Sequence, residues 1–497
     1  MEINATSTPI QEQDRDAIIV GVFNGAQPEG AAAAIDAALG GALGDLIASG
    51  DVSGKAKEAV VLYPRGAIPA RRVIAVGLGE REDWNAEAMR RAAAQGVKKA
   101  RELKAESAAI VLPDGTDVET AAAAIAEGSL LASYYYHGQK SKEAPKLLPT
   151  TLDMVFVDTD AAQRGIAVAQ AIAAGVAVTR DLVNLPPNIC DPAHMARTAE
   201  EIAAAVGLHV EILERKQMEA LGMGALLAVA QGSDAPPRFI ILEHNAARAG
   251  ELETVVLIGK GVTFDTGGYN LKPGEGMSSM KCDMAGAAAV LGAMRAIAAL
   301  DVPLHVVGLA PASDNMINGH AYRPQEVVTA SNGVTIEVIN TDAEGRMLLA
   351  DALVFAKKYD PAAVVDIATL TGAKVVALGN VAAGLFSTDD TLRDALVAAG
   401  EATAERVWPL PLYPEYDKSI ESDTADVKNT SGKRDSGVGM SAAFLKHFVA
   451  YPAWAHVDMA GMAMVDRQLA PSYAPKEGAA GFGVRLLTEF VRRWAEK

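Results

Sequence analysis

The chain lacks several features that would assign a protein to a class at once. Its 497 residues include two cysteines, Cys190 and Cys282, far apart in sequence, so no disulfide framework is implied and a reducing compartment fits. Positive charge is scarce. The 45 Lys and Arg stand against 62 Asp and Glu, a formal charge of −17 that excludes a general basic field for coating nucleic acid. The 8 histidines form no HExxH and no paired spacing, so a histidine-built zinc centre has no support. There is no Gly-x-Ser-x-Gly elbow to present a nucleophilic serine. Residues 1–16 are polar and acidic, without the apolar core of a secretory signal. No apolar run reaches membrane-spanning length, and the Ala-rich stretch 165–178 is interrupted by Gln170. A cytoplasmic protein with no membrane association is expected.

What is present reads as a soluble globular chain, 50% hydrophobic and 22% charged, too long for one ordinary core. Short β-rich runs at 17–23, 58–63, 72–77, 108–112 and 151–157 alternate with helical stretches at 31–47, 86–102 and 118–128. This pattern predicts a smaller N-terminal α/β domain, residues 1–165, with a substantially parallel sheet. A helical stretch at 161–182 runs into Pro186-Pro187, which must end it, so residues 166–190 are taken as a connecting helix and linker. Residues 191–497 form a larger α/β domain. Its strands are expected at 209–213, 238–243, 254–258, 304–309, 335–339, 363–367 and 454–458, and its helices at 191–206, 284–299 and 347–358. A central mixed sheet covered by helices follows.

The stretch Asn340-Thr341-Asp342-Ala343-Glu344-Gly345-Arg346 directly follows the run 335–339. In an extended backbone its two acids and its Arg, at alternate positions, would share one side. A divalent cation between the acids and an anion at the Arg would relieve that crowding. Upstream, the run 255–258 ends in GKGVTFDTGG (259–268), followed by LKP (271–273) and MKCD (280–283). The glycines flanking Lys260 are read as a sharp turn at the carboxyl edge of the sheet, where α/β proteins place ligands. Asp265, Asp283, Asp342 and Glu344 in one pocket would repel unless cations compensate them. Two ions roughly 3.5–4 Å apart are a known arrangement for hydrolysing amides.

Plainer readings exist for each residue. Any one of these acids alone reads as a solvated loop residue or helix cap, and Lys260 and Lys272 as solvated lysines. The GxG with Lys does not have the spacing of a nucleotide phosphate loop. His456 reads as a satisfied core histidine, and Cys282 as a small packed hydrophobe.

The run NTDAEGR (340–346) closely resembles the motif of the leucyl (cytosol) aminopeptidase family, the two-metal aminopeptidases. The resemblance continues in order and spacing through RDLVNLPPN (180–188), GKGVTFDTGG, LKP, MKCDMAGAA (280–288), DNMINGHAYRPQEVVTA (314–330), LADAL (349–353), DIATLTGA (366–373), SDTADVKN (422–429) and WAHVDMAG (454–461). It implies two divalent ions per subunit, manganese or zinc. Lys260, Asp265, Asp283 and Glu344 would bind one, and Asp265, Asp342 and Glu344 the other. Lys260 would then have to be neutral, far from its ordinary state. Lys272 would stabilise the oxyanion and Arg346 would hold a bicarbonate acting as general base. Met280, Asn340, Thr369, Gly372 and Ala460 would surround the first side chain, with Thr369 and Leu370 offering backbone groups to the substrate.

Peptide substrates with Leu or another apolar residue at the N-terminus and a homohexamer with sites facing an interior cavity are implied too. Thr266, Ala285 and Met347 depart from the family's usual Ser, Gly and Leu without removing a ligand. Lys433 interrupts the usual pattern at 429–434, and oxidation of Cys282 could disturb its neighbour Asp283. Some relatives also bind DNA. Here Arg90, Arg91, Lys98, Lys99, Arg101 and Lys104 would be the basic cluster, although a solvated helix face accounts for them more simply and nucleic acid is not favoured.

Overall fold

A computed structural model describes residues 1–433 and 437–497. It divides into two compact units: Met1–Ala173 with Ala470–Lys476, and Ala174–Leu469 with Glu477–Lys497. The division falls within the long helix Thr159–Asn184, which ends before Pro186.

The first unit is built on a six-stranded sheet. Its strands are β1 (Glu2–Thr6), β2 (Ala17–Val22), β3 (Ala59–Leu62), β4 (Val73–Gly77), β5 (Ser107–Val111) and β6 (Thr151–Val155), in the order β1-β6-β5-β2-β4-β3. All neighbours are parallel except the edge pair β3–β4. β2 and β4 are buried along their whole length, as unbroken apolar runs must be when both faces are covered. β1 is an addition to the sequence reading. Only Ile3 of its five residues is buried, so as an edge strand it carries no alternating apolar signal. The helix expected over 31–47 is two, Gly30–Ala38 and Ala42–Ser49. Between them Gly40 (φ +66°) and Gly41 (φ +91°) take the left-handed conformation that interrupts an α-helix.

The helix Ala86–Glu102 starts at Asn85, whose side chain caps the N–H groups of Glu87 and Ala88. Its basic residues are committed. Arg90 pairs with Glu87 and Glu127, Arg91 with Glu87, and Lys99 with Glu102. Lys98 donates to the Ala474 carbonyl and Arg101 to that of Leu148.

The second unit holds a nine-stranded mixed sheet and a three-stranded one. In chain order the strands are β7 (His209–Leu213), β8 (Arg238–His244), β9 (Thr254–Gly259), β10 (Gly261–Asp265), β11 (His305–Asn315), β12 (Val327–Thr329), β13 (Thr335–Glu337), β14 (Ala363–Ala368), β15 (Ala383–Ser387), β16 (Val407–Pro409), β17 (Val427–Lys428) and β18 (Trp454–Asp458). The large sheet runs β16-β15-β18-β14-β9-β11-β8-β7, with β10 pairing the far half of β11, and the small one β12-β13-β17. β11, β9, β14 and β18 are mutually parallel, so β9, β14 and β18 end at Gly259, Ala368 and Asp458 on one edge. The site forms at that edge.

One apolar cluster packs the helices Pro192–Val206, Ala285–Ala299 and Val484–Trp494 on one set of sheet side chains. A second packs Gly345–Ala356 and Gly437–Lys446 on the other. Two helical stretches, Thr159–Asn184 and Gly274–Ala299, are long and apolar enough to cross a membrane by length and composition, contrary to the sequence expectation. Most of each window is buried in protein, because an Ala-rich helix packed on a sheet reads like a membrane span.

Candidate active site

Lys260 leaves β9 at the carboxyl edge. The flanking glycines do not make a turn, since neither has a positive φ. Their role is close approach. A Cβ on Gly259 would collide with the backbone of Gly286 and Ala287, and one on Gly261 with that of Pro311 and Ala312. The chain therefore runs straight from β9 into β10, carrying Lys260 at their junction and Asp265 at the end of β10. The turn comes later, at Gly267 (φ +85°) and Gly268 (φ +59°), and it returns Lys272 toward Asp265. Asp283 follows the 3-10 turn Met280–Cys282.

The expectation that Asp342, Glu344 and Arg346 share the face of an extended strand is corrected by the backbone. β13 stops at Glu337; Asp342 sits in a turn, Glu344 is the N-cap of the helix Gly345–Ala356 with helical angles (φ −79°, ψ −39°), and Arg346 lies in that helix's first turn. Asn340 shapes the turn by accepting the Asp342 N–H at 2.8 Å. Alternate positions in the sequence do not alternate in space here, because a turn feeds a helix.

The six charged groups form one buried network. Lys260 Nζ lies 2.8 Å from Asp283 Oδ1 and 3.0 Å from Glu344 Oε1, and donates to the Thr369 carbonyl at 2.8 Å. Lys272 Nζ lies 2.7 Å from Asp265 Oδ2 and 2.6 Å from Asp342 Oδ1. Asp265, Asp342 and Glu344 each offer an oxygen, all within 4.8 Å of one another. Asp283 Oδ2 is buried without a hydrogen-bond partner among the described residues.

Burial raises the Asp265 carboxyl well above its usual range, and Glu344 and Asp283 push it further. Asp283 is raised by burial against the pull of Lys260, and Asp342 by burial and then Glu344. Burial opposes ionisation of Glu344 too, but Lys260 and Lys272 outweigh it and hold its pKa low. Burial likewise disfavours the two ammonium groups, yet the surrounding carboxylates raise both lysines above their ordinary value. Among protein groups alone, then, Lys260 is a strongly held cation. Only added positive charge would reverse that.

Arg346 is buried among these elements. Its Nη1 donates to the Asn429 carbonyl at 2.7 Å, while its Nε is buried with no hydrogen-bond partner among the described residues. Burial lowers its pKa to about 10, partly offset by Glu344 and Asp458. The donor set therefore fits both groups the sequence suggested: oxygen and amine ligands for divalent cations, and an underused guanidinium for an anion.

Of the expected pocket residues, Met280 opens the turn before Asp283, and Thr369, Leu370 and Gly372 follow β14. The Thr369 hydroxyl donates to Asp283 Oδ1 at 2.7 Å, and the Leu370 N–H to Asp458 Oδ1 at 3.2 Å. The Leu370 N–H and the Thr369 carbonyl, which accepts from Lys260, are backbone groups expected to meet substrate, and both are held by protein. Cys282 is half-buried, and burial, then Asp283, lifts its thiol to about 11, as suits a packed side chain. His456 is only partly satisfied: Nδ1 meets Asp366, but Nε2 is buried without a hydrogen-bond partner among the described residues. Lys433 is exposed. Arg434, the end of the stretch it interrupts, lies outside the described residues.

Several residues were not assigned from sequence. Asn315 donates to Asp265 Oδ1 and to the Thr341 carbonyl at 2.8 and 3.0 Å, and Tyr322 donates to the same carbonyl at 2.8 Å. Asn429 ties the 339–340 segment to Arg346 through its side chain and its carbonyl. All three lie in stretches quoted for the resemblance, and that was their only signal.

A carboxylate and lysine cluster at the parallel edge of a helix-covered mixed sheet defines a centre suited to divalent metal ions. The chain belongs to the cytosol aminopeptidase family. Residues 177–488 match the family's catalytic domain and 19–143 its N-terminal domain. The probable cytosol aminopeptidase of Roseiflexus castenholzii is 49% identical over 460 residues, 91% of this chain and 93% of that one. The one from Geobacter sp. strain M21 is 43% identical over 99% of this chain and all of its own. Among solved structures, a mutant tomato leucine aminopeptidase has a TM-score of 0.89 at 35% identity, covering 99% of this chain and 96% of that one. The bottromycin maturation enzyme BotP in complex with Mn has a TM-score of 0.85 at 34% identity, covering 97% and 100%. The protein is an aminopeptidase, a hydrolase acting on peptides.

Proposed function

We propose that the protein is a dinuclear metal aminopeptidase that removes Leu and other apolar residues from the N-termini of peptides. The observation that carries this reading is the convergence of Asp265, Asp342 and Glu344 oxygens within 4.8 Å. Lys260, Asp265, Asp283 and Glu344 would hold one ion and Asp265, Asp342 and Glu344 the other. The unpartnered Asp283 oxygen supports a further ligand position. Two divalent ions, manganese or zinc, would supply Lewis acidity and a water of lowered pKa.

The chain's own groups do the rest. Lys260 must shed its proton to act as a ligand, so ions and protons compete for it. Lys272, held between two carboxylates, stays protonated and donates to the scissile carbonyl oxygen as charge develops there. Arg346, with its free Nε, would hold the bicarbonate that serves as general base. Met280, Asn340, Thr369, Leu370, Gly372 and Ala460 would bound the first residue, where one methylene changes binding by about 1–3 kcal/mol and specificity is therefore broad.

The family resemblance supports a cytoplasmic homohexamer that admits peptides and excludes folded proteins; sedimentation as a monomer would count against it. A DNA-binding role finds no support in the N-terminal helix, whose Arg90, Arg91 and Lys99 are already paired with acids. The direct test is hydrolysis of a leucine anilide after chelation, with each metal added back. Recovery with manganese or zinc is expected, and no activity with any ion would sink the proposal.

A further inference from the structure

We propose that Asp458 and Lys374 form a buried brace that sets the width of the first side-chain pocket and thereby the preference for large over small N-terminal residues. The inference rests on the aminopeptidase reading above.

Asp458 ends β18 and is wholly buried. It pairs Ala368 of β14 on one side and Gly384 of β15 on the other. Its carboxylate accepts from the N–H groups of Leu370, Thr371 and Ala460 at 3.2, 3.4 and 3.1 Å, and from the Thr371 hydroxyl at 2.6 Å. Oδ1 takes the three N–H groups and Oδ2 the hydroxyl, so the carboxylate's partners are the protein segments it joins. Asp458 is therefore a positioning residue.

The donors it gathers belong to the two segments, 369–372 and 460, that carry most of the proposed pocket. Lys374, equally buried, fastens the same segments from the other side. Its Nζ donates to the Ala460 carbonyl at 2.8 Å and to the Gly379 carbonyl at 2.9 Å, closing the helix Gly372–Leu378 onto the turn after β18. The Thr371 hydroxyl, besides donating to Asp458, accepts the Lys374 N–H at 3.1 Å. Ala460 is thus held by its N–H from one charged group and by its carbonyl from another of opposite sign.

Asp458→Asn and Lys374→Met are assayed with leucine, phenylalanine and alanine p-nitroanilides, alongside metal content. Asp458→Asn keeps an oxygen for the N–H groups but turns an NH₂ toward the Thr371 hydroxyl and removes the charge opposite Lys374, which loosens the hold on both segments. We expect KM for the leucine and phenylalanine substrates to rise about tenfold, alanine to change less than about threefold, and metal content to hold. Lys374→Met should shift the leucine-to-alanine ratio in the same direction. A fall by one common factor on all three substrates, or an unchanged ratio, overturns the brace. Should Asp458→Asn fail to fold, Thr371→Val removes the hydroxyl that donates to Asp458 and accepts the Lys374 N–H, and must still shift the ratio. A wild-type enzyme inactive on all three anilides would refute the aminopeptidase reading; an active one with a constant ratio across the variants refutes the brace alone.

Discussion

Replacing Lys272 with Ala separates a catalyst from a ligand. The ammonium sits 2.7 Å from Asp265 and 2.6 Å from Asp342, and its neighbours hold its proton more firmly than in water. A cation so placed cannot coordinate a metal, but it can donate to an oxyanion beside those carboxylates. Losing one such donor typically costs about 10²–10³ in kcat, or roughly 3–4 kcal/mol. The same substitution removes a positive charge that competes with divalent ions for Asp265 and Asp342. Metal affinity should therefore stay level or tighten while kcat falls. The assay is steady-state hydrolysis of a leucine anilide beside metal titration of the same preparation. Loss of bound metal in proportion to activity would show that Lys272 is a ligand and refute the reasoning.

Other consequences follow from packing and charge. Gly345→Ala places a Cβ against the aliphatic end of Lys260, which is fixed by Asp283, Glu344 and the Thr369 carbonyl. Despite a better helix propensity it should destabilise the fold by about 1–3 kcal/mol and cut activity at least a hundredfold, read by denaturant melts and kcat. Wild-type stability with full activity would show that Lys260 has room to move. Asn315→Ala removes the donor that holds Asp265, so metal affinity should fall about 10–100-fold with little change in the melt. For Lys374, burial lowers the pKa from 10.5 to about 8. Between those values the unfolded chain holds more protons. The wild type should therefore gain stability relative to Lys374→Met as pH rises from about 8 to 10.5, by up to about 1.4 kcal/mol per unit. A difference independent of pH would contradict it.

The central parallel strands were legible because buried runs such as 254–258 and 363–367 carry unbroken apolar sequence. β1, β10, β12, β15, β16 and β17 were not. β1 is a polar edge strand, and β12, β16 and β17 are two or three residues long, too short for any periodicity. At the site, residue types and order named the acids and lysines, and the structure brings all of them into one network. Their path was misread in two places. Gly259 and Gly261 are there for close packing rather than for a turn, and glycine in sequence does not distinguish the two. Asp342, Glu344 and Arg346 converge because a turn feeds a helix, which alternation cannot reveal. Asn315, Asn429 and Asp458 act through long-range contacts with partners up to 90 residues away, so nothing local marks them.

Metal stoichiometry measured against activity tests the central claim most directly. The chelated protein is titrated with manganese or zinc while bound ions per chain and leucine-anilide hydrolysis are followed together. Two ions per chain are expected, with full activity only when the second is bound, and neither in Glu344→Ala. Saturation at one ion, or activity that survives chelation, would contradict it.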